Sequence, residues 1–531
     1  MSKSVSPVVV LGLDAFDVDW LERWVKEGRL PFMARLIERG AFARLDSTRD
    51  LFGDAPWPTL NAGVTPAKHA FFNHLQLQRG TLDIERTDAH HCRYLPFWQY
   101  LRGTGLRSAL IDVPKTFPIE GLDGVQICGW GEHYPLLRSP LSIPADRVER
   151  CRALYGDHPH PDEIINPPSR VWERKTRGEL LEAIDRKRQL IEDLMGEERW
   201  DFLFSVFSEV HYADHQFFHY MDPEHWAHEP DAPPDLMSAL ADVATRMDAA
   251  IGRLFDKIPE GANWLVISVH GIEPNFTANH LMEEVLTRLG YTVPSEHVHA
   301  TNRVGRILEW TAWLREKIPQ SVRDRINSRL PERFHDEADS SAFEGTKDWS
   351  RTRAFLLPSD HFQALLSLNL VGREPMGIVK PGSEAEAVRE RLREDLLELR
   401  DAQTGRRVVA GVVRTADVYQ GPNLLDLPDL IVQWAKDAPI VGLEHPAFGT
   451  IPADGYPVRK SQHAADGFLI GGGPVLAEGV RIEGARTVDF APTVLHLLGQ
   501  PIPEEFDGRV IDEMMRGGRR SVSPEAGSLR V

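Results

Sequence analysis

The run Val8-Val-Val-Leu-Gly-Leu-Asp14 decides the fold. Six apolar residues in succession, ended by a carboxylate, read as a β-strand covered on both faces, the pattern of a parallel sheet. Val18–Arg39 follows as a helical stretch, interrupted near Pro31. It closes at Gly40, a residue suited to a helix C-cap. The same strand-then-helix unit recurs. Arg107–Val113, Trp200–Phe207 and Asn263–Val269 are further strands. The second leads into a histidine-rich helix, and the third ends at His270. Asp429–Trp434 and Gly467–Gly471 add late strands. This alternation predicts an α/β fold, a mostly parallel central sheet with helices on both faces. Ligands in such sheets bind beyond the carboxyl ends of the strands. Asp14, His211 and His270 lie at or just past such ends.

The chain has 531 residues, 42% hydrophobic and 26% charged, which excludes a disordered or collagen-like protein. Its longest apolar runs fall far short of the roughly 18 residues of a membrane span, so no membrane partner is expected. Lys and Arg total 61 against 79 Asp and Glu, a net charge of −18. That balance argues against a nucleic-acid polymer as partner. Cys92, Cys128 and Cys151 are too few and too scattered for a disulfide framework or a thiolate zinc site. The first apolar run is too short for a signal-peptide core, and a cytoplasmic location is expected. The length fits about three domains, or one large α/β core carrying insertions. The stretch 295–348, rich in Arg, Glu and Trp, reads as an inserted helical cap. Glu384–Arg400 reads as a charged, solvated helix, and 516–531 as a flexible tail.

His211, His215 and His219 follow one another at i, i+4 spacing and project from one helix face. Two imidazoles so placed can share one metal ion; the plainer alternative is a polar surface stripe. Interleaved Phe217, Phe218 and Tyr220 argue that the helix is packed, and His219 reads as a support for the metal ligands or as structural. Asp14 alone reads as a carboxylate ligand or as the N-cap of the next helix. His270 and His463 each read as a ligand or as a satisfied loop histidine. Pro56–Gly63 looks like a turn entering a helix, with Pro58 suited to the first helical position. There Thr59 reads as a nucleophile, a phosphate contact or a cap. Asn61 reads as a donor to a bound anion.

These pieces stand in a familiar order. Gly12-Leu-Asp14, Gly28–Ala41 and Trp57–His69 come first. Ser268-Val-His-Gly271 lies in the middle, and His463–Gly467, Asp489–Gly499 and Phe506-Asp-Gly508 close the chain. The set resembles the alkaline phosphatase superfamily, and within it the type I phosphodiesterase/nucleotide pyrophosphatase branch, over roughly residues 7 to 515. The resemblance implies a hydrolase in which two zinc-type ions about 4 Å apart clamp an in-line displacement. It implies metal ligands at Asp14, His215, His270 and His463.

The departures from the family pattern are equally specific. Asp-x-x-x-His becomes His211-x-x-x-His215, and Ser-Asp-His-Gly becomes Ser268-Val269-His270-Gly271, which loses a carboxylate. The nucleophile register falls on Gly53, beside Asp54, so Thr59 is the nearest hydroxyl but out of register. His211, His215 and His463 remain as a three-histidine set, suited to a catalytic zinc with an open position. A mononuclear or asymmetric site is expected, holding one or two divalent ions, zinc first, with manganese or iron also compatible with imidazole ligands. Glu209 reads as a base, an orienter of an imidazole or a ligand. Trp130 and His133 read as wall residues facing a leaving group, Trp130 otherwise as core. Arg373 reads as an anion contact or a loop salt bridge. The expected partner is a small anionic ester: phosphate, phosphodiester, phosphonate or sulfate. The alternative is a degenerate member that binds a phosphorylated ligand or partner without turnover.

Overall fold

The computed structural model of the chain describes residues 6–47, 52–88, 91–133, 136–137, 139–159, 169–295, 343–359, 363–453 and 459–518. At its centre is a nine-stranded sheet. From edge to edge its strands are Val480–Arg486, Ala41–Asp46, Asp466–Gly472, Asn263–Ser268, Val8–Leu13, Phe202–Phe207, Ser108–Ile111, Gly124–Cys128 and Leu141–Ile143. Pairing is parallel except where Asp466–Gly472 meets its two neighbours and at the Leu141–Ile143 edge. The sheet is therefore mostly parallel, as the alternation of strands and helices predicts.

Val8–Leu13 lies in the middle of this sheet. Its Val9, Leu11 and Leu13 enter a core shared with helices Val18–Lys26, Arg170–Glu197, Glu209–Met221 and Ala239–Phe255. Its Val8 and Val10 enter a second core, with helices Pro56–Ala62 and Phe490–Leu497, on the opposite face. Burial on both faces is the physical reason for the unbroken apolar run. Gly12 has a packing role. A Cβ there would stand 2.7 Å from Val206 Cγ2 and 3.2 Å from the Trp57 ring, so the bare backbone makes room for that indole. Pro31 opens a second helix, Pro31–Arg39, which divides the predicted stretch in two. The cap of Val18–Lys26 is Asp17, whose Oδ1 accepts the Asp19 and Trp20 amides at 2.9 Å each. Asp14 is not that cap.

The late run Asp429–Trp434 does form a strand, Leu430–Trp434. It lies outside the main sheet, in a four-stranded sheet with Ala354–Leu356, Ala364–Leu368 and Val409–Arg414, antiparallel throughout. This second sheet has its own core, shared with Ser383–Leu397, the charged helix, which buries Ala385, Val388, Leu392 and Leu396. Arg373 is held here by Asp429 at 2.6 Å and Glu374 at 2.7 Å, the salt-bridge alternative of its two readings. Most of the cap expected over 295–348 falls on 296–342, outside the described residues, as does the tail from 519. Among the described residues no helix is long and apolar enough to cross a membrane.

Candidate metal centre

Three parallel strands deliver the site. Val8–Leu13 runs out at Asp14, whose amide donates to Phe207 O at 2.9 Å. Ala15 then turns the chain with φ +58°. Phe202–Phe207 passes through Ser208 into the helix Glu209–Met221, which carries His211 and His215. Asn263–Ser268 ends two residues before His270. Gly271–Pro274 pairs antiparallel with Ser461–Ala464, placing Ile272 opposite His463. This ribbon carries a histidine nearly 200 residues downstream back to the carboxyl edge of the sheet.

His211 Nε2 lies 3.1 Å from His215 Nε2 and 3.0 Å from His463 Nε2. Two nitrogens each bonded at about 2.0–2.1 Å to one zinc-type ion stand roughly 3.0–3.4 Å apart. Both pairs fit ligands of one ion, and the three ligand atoms all lie within 4.8 Å of one another. Burial pushes His463 well below its ordinary pKa, reinforced by His270, His211 and His215. Burial also takes His270 down to about 4, against the opposing pull of Asp14. Neutral imidazole is the ligating form. The His270 ring stacks on His463 with centroids 4.2 Å apart, and His133 lies against His211 at 3.8 Å.

Asp14 is 2% exposed. Its Oδ2 is 2.8 Å from His211 Nδ1, and its Oδ1 accepts the Trp57 indole N–H at 2.6 Å. Burial raises the pKa of such a carboxyl. Here the facing imidazole of His211 outweighs burial, with help from His270 and His133, and Asp14 stays well below the usual carboxylate range. His270 Nε2 stands 3.6 Å from Asp14 Oδ1. Among the described residues no third ligand atom groups with that pair, whereas Asp14, His133 and His211 do form a close group. Val269, at the lost carboxylate, is fully buried in the sheet's core.

Thr59 and Asn61 stand elsewhere than the sequence reading places them. The helix begins at Pro56, not Pro58, so Thr59 sits a turn inside it, its amide donating to Ala55 O at 2.9 Å. It has no exposed helix N-terminus beside it. Burial pushes His69 down to about 3, so its ring is neutral. Its Nδ1 accepts the Phe71 amide at 3.1 Å, which leaves the ring proton on Nε2, donated to Thr59 Oγ1 at 3.0 Å. A neutral ring donating to a hydroxyl does not activate it as a nucleophile. Asn61 Nδ2 donates to Pro114 O at 2.9 Å, bracing a loop instead of an anion. Glu209 is fully buried, its Oε1 3.1 Å from His158 Nε2. Burial raises its pKa, but Lys187 and His158 prevail and hold it below the ordinary value. It orients an imidazole, but one outside the cluster. Thr59, Asn61 and Glu209 are all absent from the lining of the pocket beside the cluster.

That pocket is lined by Asp14, His211, His270 and His463 together with Gly53, Asp54, Lys115, His133 and Arg459. Lys115 has φ +60° and Asp112 φ +48°, left-handed conformations that cost a non-glycine residue about 1–3 kcal/mol and gather at functional sites. The Lys115 amide donates to Glu132 Oε1 at 2.7 Å, and its Nζ lies 3.3 Å from Asp54 Oδ1. Asn61 thus serves the site indirectly, by fixing the carbonyl next to Lys115. Lys115 and Arg459 escaped the sequence reading. The available signal for Lys115 was its place just beyond the strand Ser108–Ile111, at the same carboxyl edge. Trp130 donates its indole N–H to Gly156 O at 3.0 Å and packs in the core. His219 Nε2 meets Lys460 Nζ at 2.9 Å, away from the cluster.

Residues 8–447 match the family described as Type I phosphodiesterase / nucleotide pyrophosphatase. The crystal structure of phosphonoacetate hydrolase from Sinorhizobium meliloti 1021 in complex with phosphonoformate is similar in fold. Its TM-score is 0.52 at 13% identity, over 93% of this chain and 95% of that one. The same enzyme in complex with phosphonoacetate gives 0.50 at 13% identity over the same shares. Murine ectonucleotide pyrophosphatase/phosphodiesterase 5 gives 0.48 at 12% identity, over 97% of this chain and 100% of that one. No curated protein matches the chain.

Proposed function

The chain belongs to the type I phosphodiesterase/nucleotide pyrophosphatase family, within the alkaline phosphatase superfamily, and from that premise we propose a metal-dependent hydrolase of a small phosphate, phosphodiester, phosphonate or sulfate ester. The observation that carries this reading is the convergence of His215 Nε2 and His463 Nε2 on His211 Nε2, at 3.1 and 3.0 Å, with the three ligand atoms all within 4.8 Å of one another. A zinc-type ion held there supplies Lewis acidity toward an ester oxygen and lowers the pKa of water; zinc is the first choice, and manganese or iron suit the same imidazoles.

The chain's own residues do the rest. Lys115 and Arg459 bring positive charge to the pocket and receive the anionic ester. Trp57, through Asp14, fixes the plane of the His211 ring. With Gly53 at the nucleophile register and Thr59 engaged by His69, the attacking group is water, in a single displacement. Asp54, 3.3 Å from Lys115 Nζ and 3.6 Å from His74 Nδ1, lines the same pocket, and we assign it to take the water's proton because the other lining carboxylate, Asp14, is engaged by Trp57 and His211.

Gly53 and Val269 favour one other reading, a degenerate member that binds a phosphorylated ligand without turnover. A panel of aryl phosphate, phosphodiester, phosphonate and sulfate esters separates the two. The proposed hydrolase turns over at least one class. Its activity is lost on chelation and in His215→Ala, and one solvent oxygen enters each product. Ligand binding with no hydrolysis in any class would establish the binder.

A further inference from the structure

The pairing of Asp14 with His211 bears on how many ions the site holds. In the family's pattern the first-strand Asp is a metal ligand. Here both its oxygens are engaged by N–H donors. Oδ1 receives the Trp57 indole N–H at 2.6 Å, and Oδ2 stands 2.8 Å from His211 Nδ1. The second distance is that of a charge-assisted hydrogen bond, shorter than the roughly 3.0–3.4 Å between two ligand atoms of one ion. The opposite nitrogen of the same ring, Nε2, faces His215 and His463. One imidazole thus points its lone pair into the three-histidine cluster and its N–H at a buried carboxylate. A carboxylate in that place fixes the tautomer and ring orientation of a metal-binding histidine and raises its basicity.

The neighbouring sequence supports the same conclusion. Gly12 leaves the space the Trp57 ring occupies, so the indole that engages Oδ1 is built into the fold. Val269 removes the carboxylate that would complete a site around Asp14 and His270. The close group of Asp14, His133 and His211 shares His211 with the cluster. It could hold an ion only if His211 gave up its Nδ1 proton and bridged two metals.

We propose that Asp14 is a positioning residue for His211 and not a metal ligand, so that this chain holds one ion where its family's pattern implies two. This rests on the reading of His211, His215 and His463 as a metal site. The test is titration of the metal-free full-length protein with Co(II), read by equilibrium dialysis and by the visible d–d bands, followed by competition with Zn(II). Wild type is expected to bind one ion per chain. Asp14→Asn, which keeps size and one oxygen acceptor, is expected to keep one ion with affinity weakened about 10–100-fold. The metal-free melting temperature serves as the control for folding. His133→Gln, which removes the third member of the Asp14, His133 and His211 group, is expected to leave the count at one. Two ions in wild type, with one lost in Asp14→Asn or His133→Gln, would overturn the proposal and leave the hydrolase reading standing. No ion in wild type would overturn both.

Discussion

Trp57 and Thr59 stand two residues apart on one helix and differ completely in what they contribute. The indole reaches Asp14 and through it the histidine cluster, while the hydroxyl accepts a hydrogen bond from His69. Thr59→Val therefore leaves a buried N–H unpaired and is expected to cost about 1–3 kcal/mol of stability. Hydrolysis should stay near the wild-type rate; steady-state kinetics beside a denaturant melt check both, and a rate loss of about 10²-fold would return Thr59 to the chemistry. Lys115 is expected to behave in the reverse way. Lys115→Met removes a cation from the pocket and should lower kcat/KM by about 10²–10³-fold, the usual worth of one donor facing developing charge. Unchanged kinetics in that variant would remove Lys115 from substrate binding. The chemistry-bearing side chains were only partly legible in the sequence. Histidines at i, i+4 on one helix announce themselves by spacing. The left-handed turn that presents Lys115 does not, because nothing in Asp112–Lys115 calls for φ above zero.

At the scale of elements, each strand of the main sheet that feeds the site was legible, because burial on both faces demands a continuous apolar run. What such a run cannot say is which sheet it joins. Leu430–Trp434 reads like Val8–Leu13, yet it pairs antiparallel in the second sheet. The helix at Pro56 shows the other limit. Two prolines two residues apart both suit a first turn, and choosing Pro58 over Pro56 moved Thr59 from the helix interior to its mouth. The contact of Gly12 with Val206 and Trp57 gives this scale its prediction. Gly12→Ala forces a methyl to within 2.7 Å of Val206 Cγ2. It should lose about 1–3 kcal/mol by overpacking, and metal affinity should fall with it as Trp57 shifts from Asp14. Calorimetric melting with and without metal checks this, and wild-type stability would show that the strand gives way freely.

Over the whole molecule, several histidines are buried neutral. Burial is the main cause in each case, and it pushes His69 to about 3, His225 to about 4 and His219 to about 2. An unfolded histidine binds its proton near pH 6.5. Below that pH the unfolded chain takes up protons that the folded chain refuses, so this stability is present above about pH 6.5 and is lost as pH falls toward 4. Glu132 works the other way, since burial raises it to about 8. It weakens the fold as pH rises from about 4.5 toward 8. Asp17, raised by burial to about 6, and Asp214, Glu173 and Asp248, also raised by burial, act in the same direction as Glu132. The histidine share is read by difference: between pH 6.5 and 4 metal-free wild type should lose up to about 1.4 kcal/mol per pH unit more than His225→Gln. Denaturant melts of both proteins across that range check it, and parallel profiles would mean the His225 ring is solvated.

The most direct test of the account is the metal content of the purified chain, wild type beside His463→Ala. His463 reaches the cluster only through the ribbon of Gly271–Pro274 and Ser461–Ala464, so the variant removes one of the three nitrogens and leaves the helix that carries the other two. The account predicts one zinc-type ion per wild-type chain and none in the variant. An ion retained in full by His463→Ala, or none in wild type after supplementation, would contradict it.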